Sequence, residues 1–367
     1  MATDSHYMQL ALDLAAQGAG WVNPNPQVGC VIVRDGHIIG RGWHTAFGRL
    51  HAEREALADC KTQGNDPAGA TAYVTLEPCC HWGKTPPCTE GLIEAGIARV
   101  VMGAPDPNPL VAGKGVQALR KAGIEVTEGV MVDECQAINR YWLHYIQTKR
   151  PYVIAKFAMT LDGKIGLERG QSCWLTGNEA RMRTHADRQR FAAICVGVGT
   201  VLADDPQLTC RLEGQVKQPL RVVVDSHLRM PLDCQLMRTL NVANLLVVTT
   251  DDAPQERVAA FRAAGATVLQ LPGIDGHVDL DRMLECLGGM GIDSLIVEGG
   301  PTLHGAFFKA GLVNAVQAYV SPTVFGGTNA PSPIEGLGVA SAQDAPRVHF
   351  ESMTQLGEDI LLEGVMR

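Results

Sequence analysis

The sequence predicts an α/β protein built from two domains, and three observations support this fold class. The chain has 367 residues, more than one ordinary hydrophobic core accommodates. Segments typical of strands alternate with segments typical of helices along most of the chain, as in sheets covered by helices. Lys149-Arg150-Pro151 interrupts this alternation, because proline ends a helix. We therefore predict one domain over residues 1–148 and a second over residues 149–367.

The first domain is predicted to begin with an amphipathic helix over residues 7–17. A strand over 28–33 and a second strand from residue 38 follow, joined by a turn over 34–37. The remaining predicted elements are a helix that carries His51 and Glu53, a strand over 70–76, a helix over 89–95, a strand over 99–104 and a helix over 133–146. Candidate metal ligands then fall at the N-termini of two of these helices.

The second domain is predicted to contain further buried strands. They span residues 152–157, 191–198, 220–225, 245–250 and 294–297, with helices from residue 178 and up to residue 310. Arginines recur at positions 181, 183, 188 and 190 of the helix that begins at residue 178. They could form a solvated face of this helix, or some of them could bind a phosphate. Two turns, Gly199-Thr200 and Gly299-Gly300, offer backbone N–H groups to a ligand. A Gly-Gly turn also serves simply to reverse a chain, and no G-x-G-x-x-G follows the first strand, which argues against an ordinary Rossmann domain.

Composition favours a cytoplasmic protein that acts on a small molecule. Hydrophobic residues make up 46% of the chain and charged residues 19%, as in a globular protein. The N-terminus lacks the features of a signal peptide, so we expect the eleven cysteines to be reduced. No stretch approaches 18 apolar residues, so we expect no membrane span. The net charge of −8 and the pI near 5.8 argue against a nucleic-acid partner.

His51, Glu53, Cys79 and Cys88 outline a zinc-activated deaminase. One imidazole and two thiolates supply three ligands of a tetrahedral Zn²⁺, and the fourth position is left for a water whose pKa falls to about 7. Glu53 stands two residues after His51 and can carry a proton to the departing nitrogen, which deamination requires.

The spacing of the thiols is irregular for deaminases in general. Nucleobase deaminases typically have Pro-Cys-x-x-Cys, whereas Cys88 follows Cys79 by nine residues. Cys80 and His81 lie in the intervening loop and are alternative third ligands. We favour Cys88 because Pro86-Pro87 stiffens its approach and a helix N-terminus would favour its thiolate. A closed structural Cys₃His zinc site is a further alternative, although such a site has no need for a glutamate beside its histidine.

The N-terminal motifs closely resemble the deaminase half of the bacterial bifunctional deaminase/reductases of riboflavin biosynthesis. The resemblance rests on residues 23–30, 51–53, 75–88 and 106–109, and the long loop from Cys79 to Cys88 matches this family. It implies a cytidine-deaminase-like α/β/α domain, Cys88 as the third zinc ligand, and 2,5-diamino-6-(5-phosphoribosylamino)pyrimidin-4-one as the substrate. It also implies polar groups around the pyrimidine and its phosphate at Asn23, His44, His81 and Lys84.

The C-terminal motifs are similar to the reductase half of the same family. They cover residues 157–163, 199–211, 224–226 and 297–302, and they imply a dihydrofolate-reductase-like domain that binds NADPH. The implied cofactor contacts are Ala158, Trp174, Thr200, Asp204, Ser226, Gly300, Pro301, Thr302, Leu303, His304, Gly305 and Ala306. The implied substrate contacts are Lys156, Ser172, Arg188, Leu208, Arg211 and Glu298. Cys210, beside Arg211, has no role in this interpretation beyond that of a small apolar filler.

The resemblance implies two consecutive reactions. The first domain would deaminate the pyrimidine, and the second would transfer a hydride from NADPH to the ribosyl side chain, giving 5-amino-6-(5-phosphoribitylamino)uracil. Arg188 and Arg211 would make charged contacts with the substrate. We also expect a homo-oligomer, a dimer or tetramer, in which apolar segments such as residues 315–320 could pair.

Two other function classes retain the zinc motif. A cytidine, guanine or tRNA-adenosine deaminase fused to an unrelated domain predicts no NADPH binding, and its tRNA version predicts a basic face that the charge balance does not support. A zinc-stabilised binding protein without enzyme activity would have no use for Glu53.

Overall fold

The chain folds into two compact units, one up to Lys149 and one from Arg150 onward. The structure is a computed structural model that describes residues 3–83, 85–108, 111–168, 173–336 and 338–367. Across these ranges, none of the helices combines the length and the apolar character that crossing a membrane requires.

One mixed sheet forms the centre of the first unit. Its strands are β1 (Gly29–Arg34), β2 (His37–Trp43), β3 (Thr71–Leu76), β4 (Arg99–Ala104) and β5 (Glu125–Thr127). In the described part of the unit their order is β2-β1-β3-β4-β5; β1 is antiparallel to its two neighbours, and β3, β4 and β5 are parallel. The helices are α1 (Asp4–Ala16), α2 (Ala52–Thr62), α3 (Cys88–Glu94), α4 (Lys114–Lys121), α5 (Val132–Ile138) and α6 (Arg140–Thr148).

The predicted helix over residues 133–146 is wrong, because two helices, α5 and α6, meet at Asn139. The Asn139 side chain is buried and accepts a hydrogen bond from Gln27 N at 2.8 Å. Its amide also donates to Gln27 O at 2.9 Å. A side chain that pairs with a distant backbone in this way fixes the break, and the local periodicity carries no sign of it.

Helix α1 packs directly on strand β1 at Gly29. A Cβ at this position would overlap the carbonyl oxygen of Ala11, so only glycine permits the contact. Tyr7, Met8 and Ala11 bury one face of α1 against the strands. This close approach fixes the start of β1.

Gly29→Ala is therefore expected to destabilise the first unit by about 1–3 kcal/mol or more, the usual cost of overpacking. Urea unfolding followed by circular dichroism measures this loss. Gly289→Ala is the matched control, because a Cβ there meets nothing within 4 Å. Equal stability of the two variants would contradict the packing described for α1.

A large, mainly parallel sheet forms the second unit. Its strands are β6 (Tyr152–Thr160), β7 (Ala193–Gly197), β8 (Leu220–Val224), β9 (Leu245–Thr250), β10 (Thr267–Leu271), β13 (Ser294–Gly299), β14 (Ala315–Ser321), β15 (Val348–Leu356) and β16 (Asp359–Met366); β11 (Gly273–Ile274) and β12 (His277–Val278) form a separate hairpin. The order is β10-β9-β8-β7-β13-β6-β14-β16-β15, with only the last two pairings antiparallel among the described residues. The helices are α7 (Asn178–Arg190), α8 (Val198–Asp204), α9 (Gln235–Arg238), α10 (Gln255–Ala263), α11 (Leu280–Gly289) and α12 (Pro301–Lys309).

Two details of the second unit differ from the predictions. The strand expected over 191–198 ends at Gly197, and Val198 begins α8, so Thr200 lies on a helix rather than at a strand end. The segment expected to pair between subunits, residues 315–320, lies in β14, which is hydrogen-bonded on one edge to β6 and on the other to β16. The backbone hydrogen-bonding groups on both edges of this segment are therefore already paired within the sheet.

Candidate active sites

In the first unit, three potential metal ligands converge from three elements. His51 immediately precedes α2, Cys79 follows β3, and Cys88 is the first residue of α3. His51 Nδ1 lies 3.5 Å from Cys79 Sγ and 3.4 Å from Cys88 Sγ. Tetrahedral zinc with ordinary Zn–N and Zn–S bonds separates such atoms by about 3.6 Å, so the donor set and its spacing fit Zn²⁺.

The pKa values of the two thiols shift in opposite directions. Hydrogen bonds from Cys88 and His51 lower the pKa of Cys79 to about 4, although burial opposes this. The bond to Cys79, followed by burial, raises the pKa of Cys88 well above its usual range. Cys88 N also donates to Cys79 Sγ at 3.4 Å, so the start of α3 stabilises the Cys79 thiolate rather than that of Cys88.

Zinc binding is therefore expected to release protons, with an affinity that falls as the pH falls, because Cys88 must give up its proton to bind metal. Calorimetric titration in buffers of different ionisation enthalpy measures the number of protons released. Cys80→Ser should leave that number unchanged, since Cys80 is not among the converging ligands. Zinc binding without proton release would contradict the assignment of a neutral Cys88 thiol.

Glu53 lies in the first turn of α2, beside the converging ligands. Its side chain is buried, and this burial raises the pKa of the carboxyl, with Cys79 adding to the shift. The Cys88 thiol hydrogen-bonds to the same carboxyl. A carboxyl with a raised pKa that stands next to a metal site is suited to accept and return a proton.

Two side chains orient His51: Thr85, which the sequence did not single out, and His44, a predicted pyrimidine contact. Thr85 Oγ1 lies 3.3 Å from His51 Nε2, which leaves Nδ1 facing the two sulfurs. The ring of His44 packs edge-on against that of His51, with centroids 5.4 Å apart. Burial lowers the pKa of His44; its Nδ1 donates to Leu50 O, and its Nε2 accepts from Asn25. His44 therefore supports the histidine ligand as a neutral ring.

Glu77 anchors the loop that carries Cys79, and sequence reasoning assigned it no role. Its buried carboxylate accepts hydrogen bonds from Gly113 N and Gly115 N, both at 3.0 Å, and a longer one from Val116 N. These groups lie at the start of α4, where an anion is favourable. The only local signal is the position of Glu77 directly before Pro78-Cys79.

Asn23, His81 and Lys84 are the other predicted pyrimidine contacts. Asn23 is half-buried near the start of β1, and His81 has a buried Nδ1 without a hydrogen-bond partner among the described residues. Lys84 lies outside the described residues. Their roles stay predictions.

In the second unit, a buried ion pair lies where α7 meets the end of β13. Arg188 Nε and Nη2 donate to the two carboxylate oxygens of Glu298 at 3.1 and 2.8 Å, and Nη1 donates to Thr209 O. Burial disfavours the charge on Glu298, but Arg188 and Lys156 outweigh it and lower the pKa of this carboxyl to about 2. Burial lowers the pKa of Lys156. Lys156, Arg188 and Glu298, which are three of the predicted substrate contacts, therefore form one charged cluster.

His185 and Cys210 join the remaining predicted arginine to this cluster. Arg211 N donates to His185 Nδ1 at 3.3 Å, and Cys210 Sγ donates to His185 O at 3.2 Å. Burial, followed by Arg188 and Arg211, lowers the pKa of His185 to about 4, so the ring is neutral and able to accept. Cys210 therefore ties the segment before Arg211 to α7, which gives it a role beyond the apolar filler that we expected.

Most of the predicted cofactor residues follow the carboxyl ends of β7, β8 and β13. Thr200 on α8 faces the turn after β13: a Cβ on Gly300 would lie 3.2 Å from its Oγ1. Gly199 faces open space, since a Cβ there meets nothing within 4 Å. Ser226 follows β8 and is engaged by the protein, its Oγ accepting from Val278 N at 3.1 Å. The starts of α8 and α12 therefore border a glycine-lined edge that fits the phosphates of a nucleotide cofactor.

Several side chains of the predicted contacts point into the protein. Leu303 and Leu208 are buried. His304 is also buried, with its ring nitrogens 3.1 Å from Pro333 O and 3.0 Å from Val297 O. A Cβ on Gly305 would overlap the carbonyl oxygen of Glu335. Leu208, Leu303 and His304 therefore expose little side-chain surface, and the tight contact at Gly305 leaves no room for a side chain.

The remaining predicted contacts differ in exposure. Pro301 and Ala158 are half-buried, whereas Thr302, Ala306 and Asp204 are exposed. Trp174 is 81% exposed, and the Arg181 guanidinium lies 5.2 Å from its ring centroid. Ser172 lies outside the described residues.

Each unit matches a known domain family. Residues 1–104 match the zinc-binding region of cytidine and deoxycytidylate deaminases. Residues 151–362 match the C-terminal domain of RibD. The predicted fold class, a cytidine-deaminase-like domain followed by a dihydrofolate-reductase-like domain, is confirmed. The match over residues 151–362 therefore excludes the alternative of a deaminase fused to an unrelated domain.

Relatives match over both units. The riboflavin biosynthesis protein RibD of Actinobacillus pleuropneumoniae is 50% identical over 99% of this chain and 96% of its own length. The solved structure of Acinetobacter baumannii RibD is 37% identical, with a TM-score of 0.89 over 99% of both chains. A Thermotoga maritima structure, described as a diaminohydroxyphosphoribosylaminopyrimidine deaminase/5-amino-6-(5-phosphoribosylamino)uracil reductase, is 36% identical, with a TM-score of 0.87 over 99% of both chains. The chain therefore belongs to the RibD family of riboflavin biosynthesis proteins.

Proposed function

We propose that the first unit deaminates 2,5-diamino-6-(5-phosphoribosylamino)pyrimidin-4-one and that the second reduces the ribosyl side chain of the product with NADPH. Family membership gives the chain a deaminase and a reductase activity in riboflavin biosynthesis. The proposal adds the substrate, the nicotinamide cofactor and the residues that act. The observation that carries it is the convergence of His51, Cys79 and Cys88 beside the buried Glu53.

In the deaminase unit, His51, Cys79 and Cys88 hold Zn²⁺ and Glu53 moves the proton. Zinc supplies the Lewis acidity that lowers the pKa of water to about 7. Glu53 accepts a proton in its raised-pKa carboxyl and returns it to the amino nitrogen, so that ammonia can leave. Thr85 holds His51 in the orientation that directs Nδ1 to the metal.

In the reductase unit, the charged cluster of Lys156, Arg188 and Glu298 binds the substrate, and Arg211 contacts its phosphate. NADPH supplies the hydride that reduces the sugar. The glycine-lined edge beside Thr200 would hold the cofactor phosphates, because it borders the starts of α8 and α12. Thr209 and Cys210 bond to α7, so Arg211 is held at a fixed distance from Arg188, which positions the phosphorylated substrate.

We also propose that the enzyme works in the cytoplasm as a homo-oligomer. The eleven cysteines, all within the described ranges, are free thiols, which is typical of reducing compartments. Most soluble oligomers are symmetric assemblies of identical chains, so a homodimer or homotetramer is the form that we propose.

A single-pot assay tests the proposed function. The purified protein receives zinc, the diaminopyrimidinone ribosylamino phosphate and NADPH, and both ammonia release and the loss of NADPH absorbance are recorded. We expect both signals, with the loss of NADPH lagging behind ammonia. Ammonia release without NADPH oxidation would contradict the proposal for the second unit.

A further inference from the structure

Arg54 links the helix that carries Glu53 to the residue that precedes Cys88. Arg54 follows Glu53 on α2, and its Nη2 donates to Pro87 O at 2.6 Å. Pro87 is the N-cap residue of α3 and has no side-chain cap hydrogen bond. The hydrogen bond from Arg54 therefore fixes the turn from which Cys88 enters the site.

Gly91, one turn further along α3, leaves the space that the guanidinium occupies. A Cβ on Gly91 would lie 3.0 Å from Arg54 Cζ, 3.1 Å from Nε and 3.2 Å from Nη1. These separations are shorter than ordinary carbon contacts of about 3.5–4.0 Å. The Arg54 side chain is thus held between the carbonyl of Pro87 and the bare backbone of Gly91.

The charge of Arg54 also suits its neighbours. Two thiolates and an ionised Glu53 would carry three negative charges against the two positive charges of zinc. Arg54 adds one positive charge on the residue next to Glu53. Its Nε is buried with no hydrogen-bond partner in the described ranges, so the guanidinium is only partly solvated. Weak solvation strengthens its attraction to nearby anions.

We propose that Arg54 is a positioning residue for the zinc ligand Cys88, holding the Pro87-Cys88 turn against α2 and balancing the charge of the loaded site. This inference rests on the proposed zinc site. It predicts that Arg54 and Gly91 act as one unit, because the glycine is what allows the arginine to reach Pro87.

The test is the zinc affinity of the full-length protein, measured by competition with a chromophoric chelator. We expect Arg54→Gln to weaken zinc binding about 10- to 100-fold, the usual effect of removing a group that supports a ligand. Gly91→Ala should weaken it in the same direction by displacing the guanidinium, although alanine is the better helix former. In the double variant the two effects should not add, because both remove the same contact.

Arg54→Lys separates charge from geometry, since it keeps the charge but loses the planar guanidinium. A zinc affinity of Arg54→Lys between those of the wild type and Arg54→Gln would show that both the charge and the geometry of Arg54 contribute. Reductase activity on pre-deaminated substrate should be the same in all four variants, because the substitutions lie in the other unit. A wild-type circular dichroism spectrum and urea midpoint show that the first unit is folded; if Arg54→Gln fails to fold, Gly91→Ala and Arg54→Lys carry the test. Wild-type affinity in Arg54→Gln and Gly91→Ala would overturn the inference. Absence of stoichiometric zinc in the wild-type protein would overturn the proposed zinc site itself.

Discussion

Glu53→Gln is expected to lower the rate of ammonia release by about 10²- to 10⁴-fold while leaving reduction of the pre-deaminated substrate intact. The amide keeps the size of the side chain but cannot accept and return a proton. Because Glu53 is buried beside Cys79 and Cys88, no solvent-exposed group replaces it easily. Steady-state ammonia release measures the loss, and NADPH oxidation with deaminated substrate measures what is retained.

Glu55→Gln is the matched control for this prediction. Glu55 lies on the same helix, α2, and is not among the groups that converge on the metal site. It should release ammonia at close to the wild-type rate. Unchanged ammonia release in Glu53→Gln, or equal losses in the two variants, would show that Glu53 is not the proton carrier.

Arg188→Ala is expected to destabilise the second unit by about 3–5 kcal/mol and to abolish reduction. The change leaves the Glu298 carboxylate buried without its bidentate partner and also removes the hydrogen bond to Thr209 O. A buried charge without a partner is far more costly than the loss of an exposed pair. Deamination should persist, because the metal site lies in the other unit.

Urea unfolding and NADPH oxidation measure the two effects of Arg188→Ala. Arg282→Ala is the matched control: its ion pair with Glu285 is largely exposed, with 65% and 41% of the two side chains accessible, so the change should cost much less stability than Arg188→Ala. A similar small cost for Arg188→Ala would contradict the account of a desolvated, structurally required ion pair.

The parts that local patterns specify could be predicted from the sequence. Strands β4 and β9 have the predicted bounds, because short apolar runs of β-branched residues define them. The metal cluster could also be predicted, since His51 and Glu53 stand together and the thiols follow a strand. The preference for Cys88 over Cys80 rested on the stiff Pro86-Pro87 turn and on the family resemblance; in the structure the Cys88 sulfur lies close to the His51 and Cys79 donor atoms.

The parts that distant contacts specify could not be predicted. The break at Asn139 depends on Gln27, more than a hundred residues away. Thr85 reveals its role only when the loop folds back on His51. The buried ring of His304 is held by Pro333 O and Val297 O, whereas the family resemblance indicated only that this residue contacts the cofactor. Each of these contacts joins segments whose proximity no local periodicity encodes.

The most direct test of two independent sites is to mix Glu53→Gln protein with Arg188→Ala protein and to measure the ribitylamino product. Each variant alone should fail to convert the diaminopyrimidinone to this product. Together they should form it, at a rate that rises with the concentration of the Glu53→Gln protein, because the deaminated intermediate can diffuse from one to the other. As a control, the Glu53→Gln protein should reduce deaminated intermediate that is added to it. If this control succeeds but the mixture releases ammonia without forming the product, the result would contradict the account of two separable, consecutive sites.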